Sequence, residues 1–210
     1  MTYYEKYISE QLDRVKLNIP HTEYCDRFYG GCLGKRYITF KQIFEYLNEI
    51  DDPLVVETGI SRIVNNYCGD GNSTLIFDEY LNFFKKSGKL ITIDIDKSKC
   101  DYTAPLLSER STVICSDSVV ALHGLSIDYT FPKIDFLYLD SYDVDWDNPH
   151  PSALHHFKEL LAVFPKLKPG TLIVVDDHDN GRGKGKYIAE YMNNINKIPY
   201  FDEYQIGWIW

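Results

Sequence analysis

With 210 residues, 44% of them hydrophobic and 25% charged, the chain is long enough to bury one sizeable core but short for two enzyme domains. Its 31 acidic residues outnumber 22 basic ones, and the net charge of −9 disfavours a nonspecific grip on nucleic acid or an anionic membrane surface. No apolar run approaches a bilayer span, residues 1–11 do not read as a signal peptide, and five scattered cysteines lack CxxC spacing, so a cytoplasmic protein with reduced thiols is expected.

Residues 1–50 differ in texture from the rest and read as a helical N-terminal extension, a cap, lid or dimer contact. Residues 29–34 form a glycine-rich loop there, and Phe40, Ile43, Phe44, Leu47 and Ile50 then recur at helical spacing before Asp51-Asp52-Pro53 stops the helix. From residue 51 to 210, short apolar runs alternate with helical stretches. The runs at 54–57, 89–94, 111–115, 134–140 and 171–176 lack a polar face, as buried parallel strands do. Helices are expected at 73–86, 104–109, 118–125, 152–164 and 184–194, with Leu154, Phe157, Leu160, Leu161 and Phe164 forming one buried stripe. The tail YFDEYQIGWIW suggests one terminal strand. This alternation predicts an α/β fold, a doubly wound and mainly parallel sheet with helices on both faces.

Ligands of such sheets bind beyond the carboxyl ends of the strands, where strand order reverses. The first strand runs into Glu57-Thr58-Gly59, then a longer loop, then Gly69-Asp70-Gly71-Asn72-Ser73 at a helix start, where glycines let backbone approach a ligand and Ser73 or Asn72 can cap the helix. The second strand ends at Asp94, an acid suited to ribose hydroxyls or to a turn. The third ends Ser116-Asp117-Ser118, where Asp117 either meets an adenine amino group or caps the next helix. The fourth and fifth end in Asp140-Ser141-Tyr142-Asp143 and Asp176-Asp177-His178. Neighbouring strands lie about 4.8 Å apart, so these carboxylates would meet and share a proton or a cation. Asp140, Asp176 and Asp177 suit a hard divalent ion such as Mg2+. The competing reading is a solvated acidic rim with helix capping. Counting Asp145, Asp147 and Asp179, the two strand ends hold seven carboxylates, and the remainder of the chain is nearly balanced in charge. Arg182, Lys184 and Lys186, spaced by glycines, read as a solvated lead into the last helix, or less simply as a clamp for an anionic acceptor.

Over about residues 50–195, VVETG with GDGNST, LITIDID, LDSYD and LKPGTLIVVDD together resemble the Rossmann-like class I S-adenosylmethionine-dependent methyltransferases, in particular metal-dependent O-methyltransferases of the catechol and macrocin type. The resemblance implies S-adenosylmethionine as cofactor, with Glu57, Gly59 and Ser73 lining its methionine end, Asp94 on the ribose, and Ser116 and Asp117 near the adenine. It implies Asp140, Asp176 and Asp177 as ligands of Mg2+ or another divalent cation, and places Asp143 where some of these enzymes carry the base. His178, directly after the acid pair, is by its position a candidate for an additional base or for a group supporting the acids. The first glycine motif is interrupted at residues 60–68, and an acid stands at the base position where the catechol enzymes have lysine.

In-line methyl transfer requires mainly that an acceptor oxygen be positioned and deprotonated, work a divalent cation would share. A small polar, sugar-like or hydroxylated acceptor is expected, with no nucleic-acid or membrane partner and a homodimer as an option. Three alternatives stand beside this: an NAD(P)-dependent oxidoreductase, disfavoured by the missing GxGxxG; a noncatalytic module of the same fold; and cofactor chemistry without metal.

Overall fold

The computed structural model describes residues 35–63, 72–84 and 87–210. The loop expected at 29–34 and most of the interrupting segment lie outside them. Five strands, β1 (Leu54–Thr58), β2 (Lys89–Asp94), β3 (Ser111–Cys115), β4 (Phe136–Leu139) and β5 (Leu172–Val175), pair in parallel in the order β3-β2-β1-β4-β5. Two residues each of β6 (His178–Asp179) and β7 (Arg182–Gly183) form a separate hairpin. The tail supplies two strands rather than the one expected. β8 (Phe201–Asp202) is short, and its turn returns the chain as β9 (Ile206–Ile209), which pairs antiparallel with both β5 and β8. One strand, β9, therefore runs against the others between β5 and the edge strand β8, and the sheet departs from the all-parallel 3-2-1-4-5-6 order of dinucleotide-binding Rossmann domains.

Side chains alternate across the sheet with period two, which assigns each helix a face. Val55, Leu90, Phe136, Tyr138, Leu172 and Val174 point one way, toward α1 (Tyr37–Asn48) and α2 (Ser73–Phe84). Phe40, Phe44, Phe77, Tyr80, Phe136 and Tyr138 pack there with ring centroids 4.6–6.3 Å apart, each such pair adding about 0.5–1.5 kcal/mol beyond area burial. The helix foreseen around Phe40 is thus a layer of the core: Phe40, Ile43, Phe44 and Leu47 are fully buried. On the other face, Val56, Leu137, Leu139, Ile173 and Val175 meet α4 (Ser118–Ile127), α5 (His150–Val163) and α6 (Lys186–Asn194). The remaining α-helix, α3 (Lys97–Thr103), follows β2 and is capped by Asp96, whose carboxylate accepts the Ser98 N–H at 2.8 Å; it precedes the 104–109 stretch assigned from sequence, of which Ala104–Leu106 forms one 3-10 turn.

In α5 the buried face carries Ala153, His156, Glu159, Leu160 and Val163, whereas Leu154 and Leu161 are 45% and 49% exposed. The expected leucine stripe is rotated because a polar pair, His156 and Glu159, takes the inner positions. Among the described residues, Cys100 and Cys115 are free thiols, and no helix is long and apolar enough to cross a membrane.

Candidate active site

Strand order reverses between β1 and β4, and the carboxyl ends of β1, β2 and β4 open into two adjoining hollows of about 370 and 600 Å³, counting their open mouths. Asp94 and Ser141 belong to both. The smaller hollow is walled by Gly59, Ser61, Arg62, Ser73, Asp140 and Asp143, the larger by Ile95, Asp117, Ser118, Tyr142 and His155. The smaller chamber is lined mainly by polar and charged groups, while the larger is more apolar and carries two rings.

Gly59 makes this junction. Its φ is +86°, and a Cβ would come 2.4 Å from the Asp140 carbonyl oxygen, so only glycine lets the end of β1 close against the end of β4. Asp94 is almost buried, its two oxygens accepting the Ile60 N–H at 3.1 Å and the Asp96 N–H at 2.8 Å. That fixes the carboxylate at the rim shared by both chambers. Asp117 caps α4 through the Val120 N–H at 3.0 Å and also faces the larger hollow, so the two roles weighed from sequence are compatible. Ser116 contributes backbone, its N–H donating to the Asp94 carbonyl at 2.9 Å.

Glu57 does not line the cavity. It is fully buried on the α2 side and accepts the hydroxyls of Ser73 at 2.5 Å, Thr74 at 2.7 Å and Thr92 at 2.8 Å; burial pushes its carboxyl up to about 7 against those bonds. Glu57 thereby anchors Ser73, which does face the hollow.

Register brings the acids of β4 and β5 together as expected. Leu139 is opposite Val175, so the next residues, Asp140 and Asp176, end side by side, and one oxygen from each of Asp140, Asp176 and Asp177 lies within 4.8 Å of the others. Asp177 follows in a left-handed conformation, φ +46°, which Asp tolerates better than most residues. Two cations that sequence reasoning did not assign to the site complete the cluster. Arg36, just before α1, donates to Asp176 through Nε at 2.8 Å and Nη2 at 2.6 Å and reaches Asp177 at 3.3 Å. Lys184 is ion-paired with Asp140 and lies 2.9 Å from Asp177, its side chain 1% exposed. Gln205 Nε2 donates to Asp176 at 2.9 Å and the Tyr204 hydroxyl to Asp177 at 2.6 Å.

Burial works against the charge on Lys184, but Asp140, Asp177 and Asp176 outweigh it and hold the ammonium above its ordinary range. Burial likewise acts to raise Asp177, and Lys184 with Arg36 reverses this, drawing its carboxyl down to about 2. Three carboxylates are offset by two cations. As donors they are what a hard divalent ion takes, yet such an ion would enter this arrangement only by displacing Lys184.

Lys184 reads from sequence as solvated because its flanking glycines suggest a flexible lead-in. The structure shows the opposite. Gly183 has φ +87°, and a Cβ there would stand 2.0 Å from the Asp177 carbonyl oxygen, so the β6–β7 hairpin folds back tightly and buries Lys184. Arg36 carried no local signal, since its partners are 140 and 141 positions away.

The two candidate bases separate. Asp143 is exposed in the smaller hollow and paired with Arg62 at 2.9 Å. His178 lines neither hollow; its Nε2 lies 3.2 Å from Asp202, and burial lowers its basicity. It staples the hairpin to β8. In the larger hollow, His155 Nε2 lies 2.9 Å from the Ser118 hydroxyl and 3.4 Å from Glu159, while Ser141 donates to Glu159 at 2.6 Å. Of the aromatic residues near the acidic loops, Tyr142 lines the larger hollow and Trp146 packs on the hairpin, its carbonyl accepting from Arg182 at 2.6 Å; Tyr67 lies outside the described residues.

No family model matches the chain, and no curated protein matches its sequence. Solved structures do match. The calicheamicin methyltransferase CalS11 superposes with TM-score 0.61 at 13% identity, over 100% of this chain and 94% of its own. MycE of the mycinamycin biosynthetic pathway, solved with Mg and S-adenosylhomocysteine, gives 0.60 at 16% identity over 89% of this chain, which spans 53% of MycE. SMU.1697c from Streptococcus mutans, described as a putative methyltransferase and bound to S-adenosylhomocysteine, gives 0.51 at 9% identity over 81% of this chain and 96% of its own. The architecture of this chain is the class I S-adenosylmethionine-dependent methyltransferase fold.

Proposed function

We propose that the protein is an S-adenosylmethionine-dependent methyltransferase acting on an oxygen of a small polar, sugar-like or hydroxylated acceptor. The observation that carries this is the pair of unequal hollows meeting at Asp94, at the switch point of a sheet with the methyltransferase strand order. An amino-acid end and a nucleoside end need different linings, and the two chambers differ in that sense. Ser73, Gly59 and Ser61 face the methionine side, Asp94 accepts ribose hydroxyls, and Ile95, Tyr142 and His155 flank the adenine.

The bound cofactor supplies a methyl group on a sulfonium. What the chain contributes is placement and charge. Asp140, Asp143 and Asp94 line the polar chamber and favour a cation there. Asp143, exposed and steered by Arg62, receives the acceptor hydroxyl proton. Asp140, Asp176 and Asp177 are the residues that would hold a divalent ion, as MycE was crystallised with Mg, but in this chain their lone pairs already answer Lys184 and Arg36. The sugar-type acceptor is supported by CalS11, described as a TDP-rhamnose 3'-O-methyltransferase, and by MycE solved with mycinamycin VI.

A nicotinamide oxidoreductase is the second reading to test, since it too uses an acid after β2; the antiparallel β9 inserted between β5 and β8 speaks against it. Thermal unfolding with S-adenosylmethionine, S-adenosylhomocysteine and NAD separates them. Stabilisation by the two sulfur compounds and not by NAD is expected. Stabilisation by NAD alone would overturn the proposal.

A further inference from the structure

We propose that Lys184 is the resident cation of the Asp140, Asp176 and Asp177 centre, so that this chain assembles its carboxylates with its own ammonium and without a divalent metal ion. The inference rests on the methyltransferase reading only for the purpose of the centre; the ion pairs stand independently of it.

The first ground is occupancy. An ion bound by all three carboxylates needs the space between their oxygens, at about 2.0–2.1 Å from each for Mg2+. The Lys184 ammonium is already in contact with Asp140 and 2.9 Å from Asp177. The second is competition for the lone pairs of Asp176 and Asp177. Asp176 Oδ1 accepts from Arg36 Nε and Gln205 Nε2, and its Oδ2 accepts from Arg36 Nη2; Asp177 Oδ1 accepts from Tyr204. Arg36 comes from just before α1, Gln205 and Tyr204 from the β8–β9 turn and Lys184 from the end of the β6–β7 hairpin, so three separate parts of the chain tie the arrangement together.

The third ground is that Lys184 is fixed by backbone. Its N–H donates to the Asp177 carbonyl at 3.1 Å, and Gly183 before it admits no side chain against that same carbonyl. A lysine swung in from solvent would need neither feature. Its side chain is 1% exposed, so leaving the centre means reopening the hairpin. Lys184 is a positioning residue in this account: it holds Asp140 at the edge of the smaller hollow, where Asp140 is one of the walls.

The test uses the full chain freed of metal by chelation, with Mn2+ titrated and followed by electron paramagnetic resonance, and unfolding followed with Mg2+ or chelator. The wild-type protein is expected to bind no stoichiometric Mn2+ at millimolar concentrations and to unfold at the same temperature in both conditions. Lys184→Ala, confirmed folded by circular dichroism, is expected to gain one Mn2+ site at least about tenfold tighter than anything in the wild type, since carboxylates without their partner seek another cation. One tight wild-type Mn2+ site abolished by Asp140→Asn overturns the proposal, as does a folded Lys184→Ala that gains none. If Lys184→Ala does not fold, the wild-type titration with its Asp140→Asn control decides alone. S-adenosylhomocysteine binding on the same samples reports separately on the methyltransferase reading.

Discussion

Glu57 offers a prediction whose size follows from its surroundings. The carboxyl is fully buried, three hydroxyls point at it, and burial moves it from 4.5 to about 7. A folded-state value above the unfolded one favours the protonated carboxyl in the native protein, so the associated stability is fully present below pH 4.5 and is lost as pH rises through about 7. A shift of roughly 2.5 pH units at 1.36 kcal/mol per unit amounts to about 3 kcal/mol. Glu57→Gln keeps the shape and cannot ionise. Urea unfolding of both proteins from pH 4.5 to 8 should show the stability gap moving by about 3 kcal/mol in favour of the variant at the alkaline end. Parallel profiles for the two proteins would refute the burial argument, because they would mean that Glu57 ionises as freely folded as unfolded.

Two further outcomes follow from the site. Gly183→Ala brings a Cβ to 2.0 Å from the Asp177 carbonyl oxygen at φ +87°, and should lower stability by about 2–4 kcal/mol and loosen the hairpin over Lys184, read by thermal unfolding and by proteolysis after Asp179; an unchanged melting temperature would mean that the hairpin does not pack as described. Asp143→Asn should cut methyl transfer by about 10²-fold or more while weakening S-adenosylhomocysteine far less, since proton removal is its main role and the spent cofactor carries no sulfonium for its charge to favour. Equal losses in both would make Asp143 a binding residue.

The sheet was readable because runs such as 54–57 and 134–140 have no polar face, and because a doubly wound order then follows from alternation with helices. The meeting of Asp140 with Asp176 was readable for the same reason, since both end adjacent strands. What lay hidden was tertiary. Lys184 between glycines has the local signature of a solvated turn, and only the approach of the hairpin to Asp177 reveals that Gly183 serves close packing. Arg36 sits at the edge of a stretch that reads as an appendage, yet its guanidinium closes the carboxylate cluster from the α1 side and stacks 4.9 Å over Tyr204. Leu154 and Leu161 mark the wrong face of α5 because His156 and Glu159 are buried there, with burial bringing His156 down to about 4. His178 follows the acid pair in sequence, but it pairs with Asp202 and lines neither hollow.

Calorimetric titration of the full chain with S-adenosylhomocysteine tests most directly whether a cofactor is held across Asp94 at the junction of the two hollows. One molecule should bind per chain, and Asp94→Asn should weaken binding by about tenfold or more, the loss of a charge-assisted hydrogen bond to a ribose hydroxyl being worth about 1.5–3 kcal/mol. No binding to the wild-type chain, or binding that Asp94→Asn leaves unchanged, would contradict it.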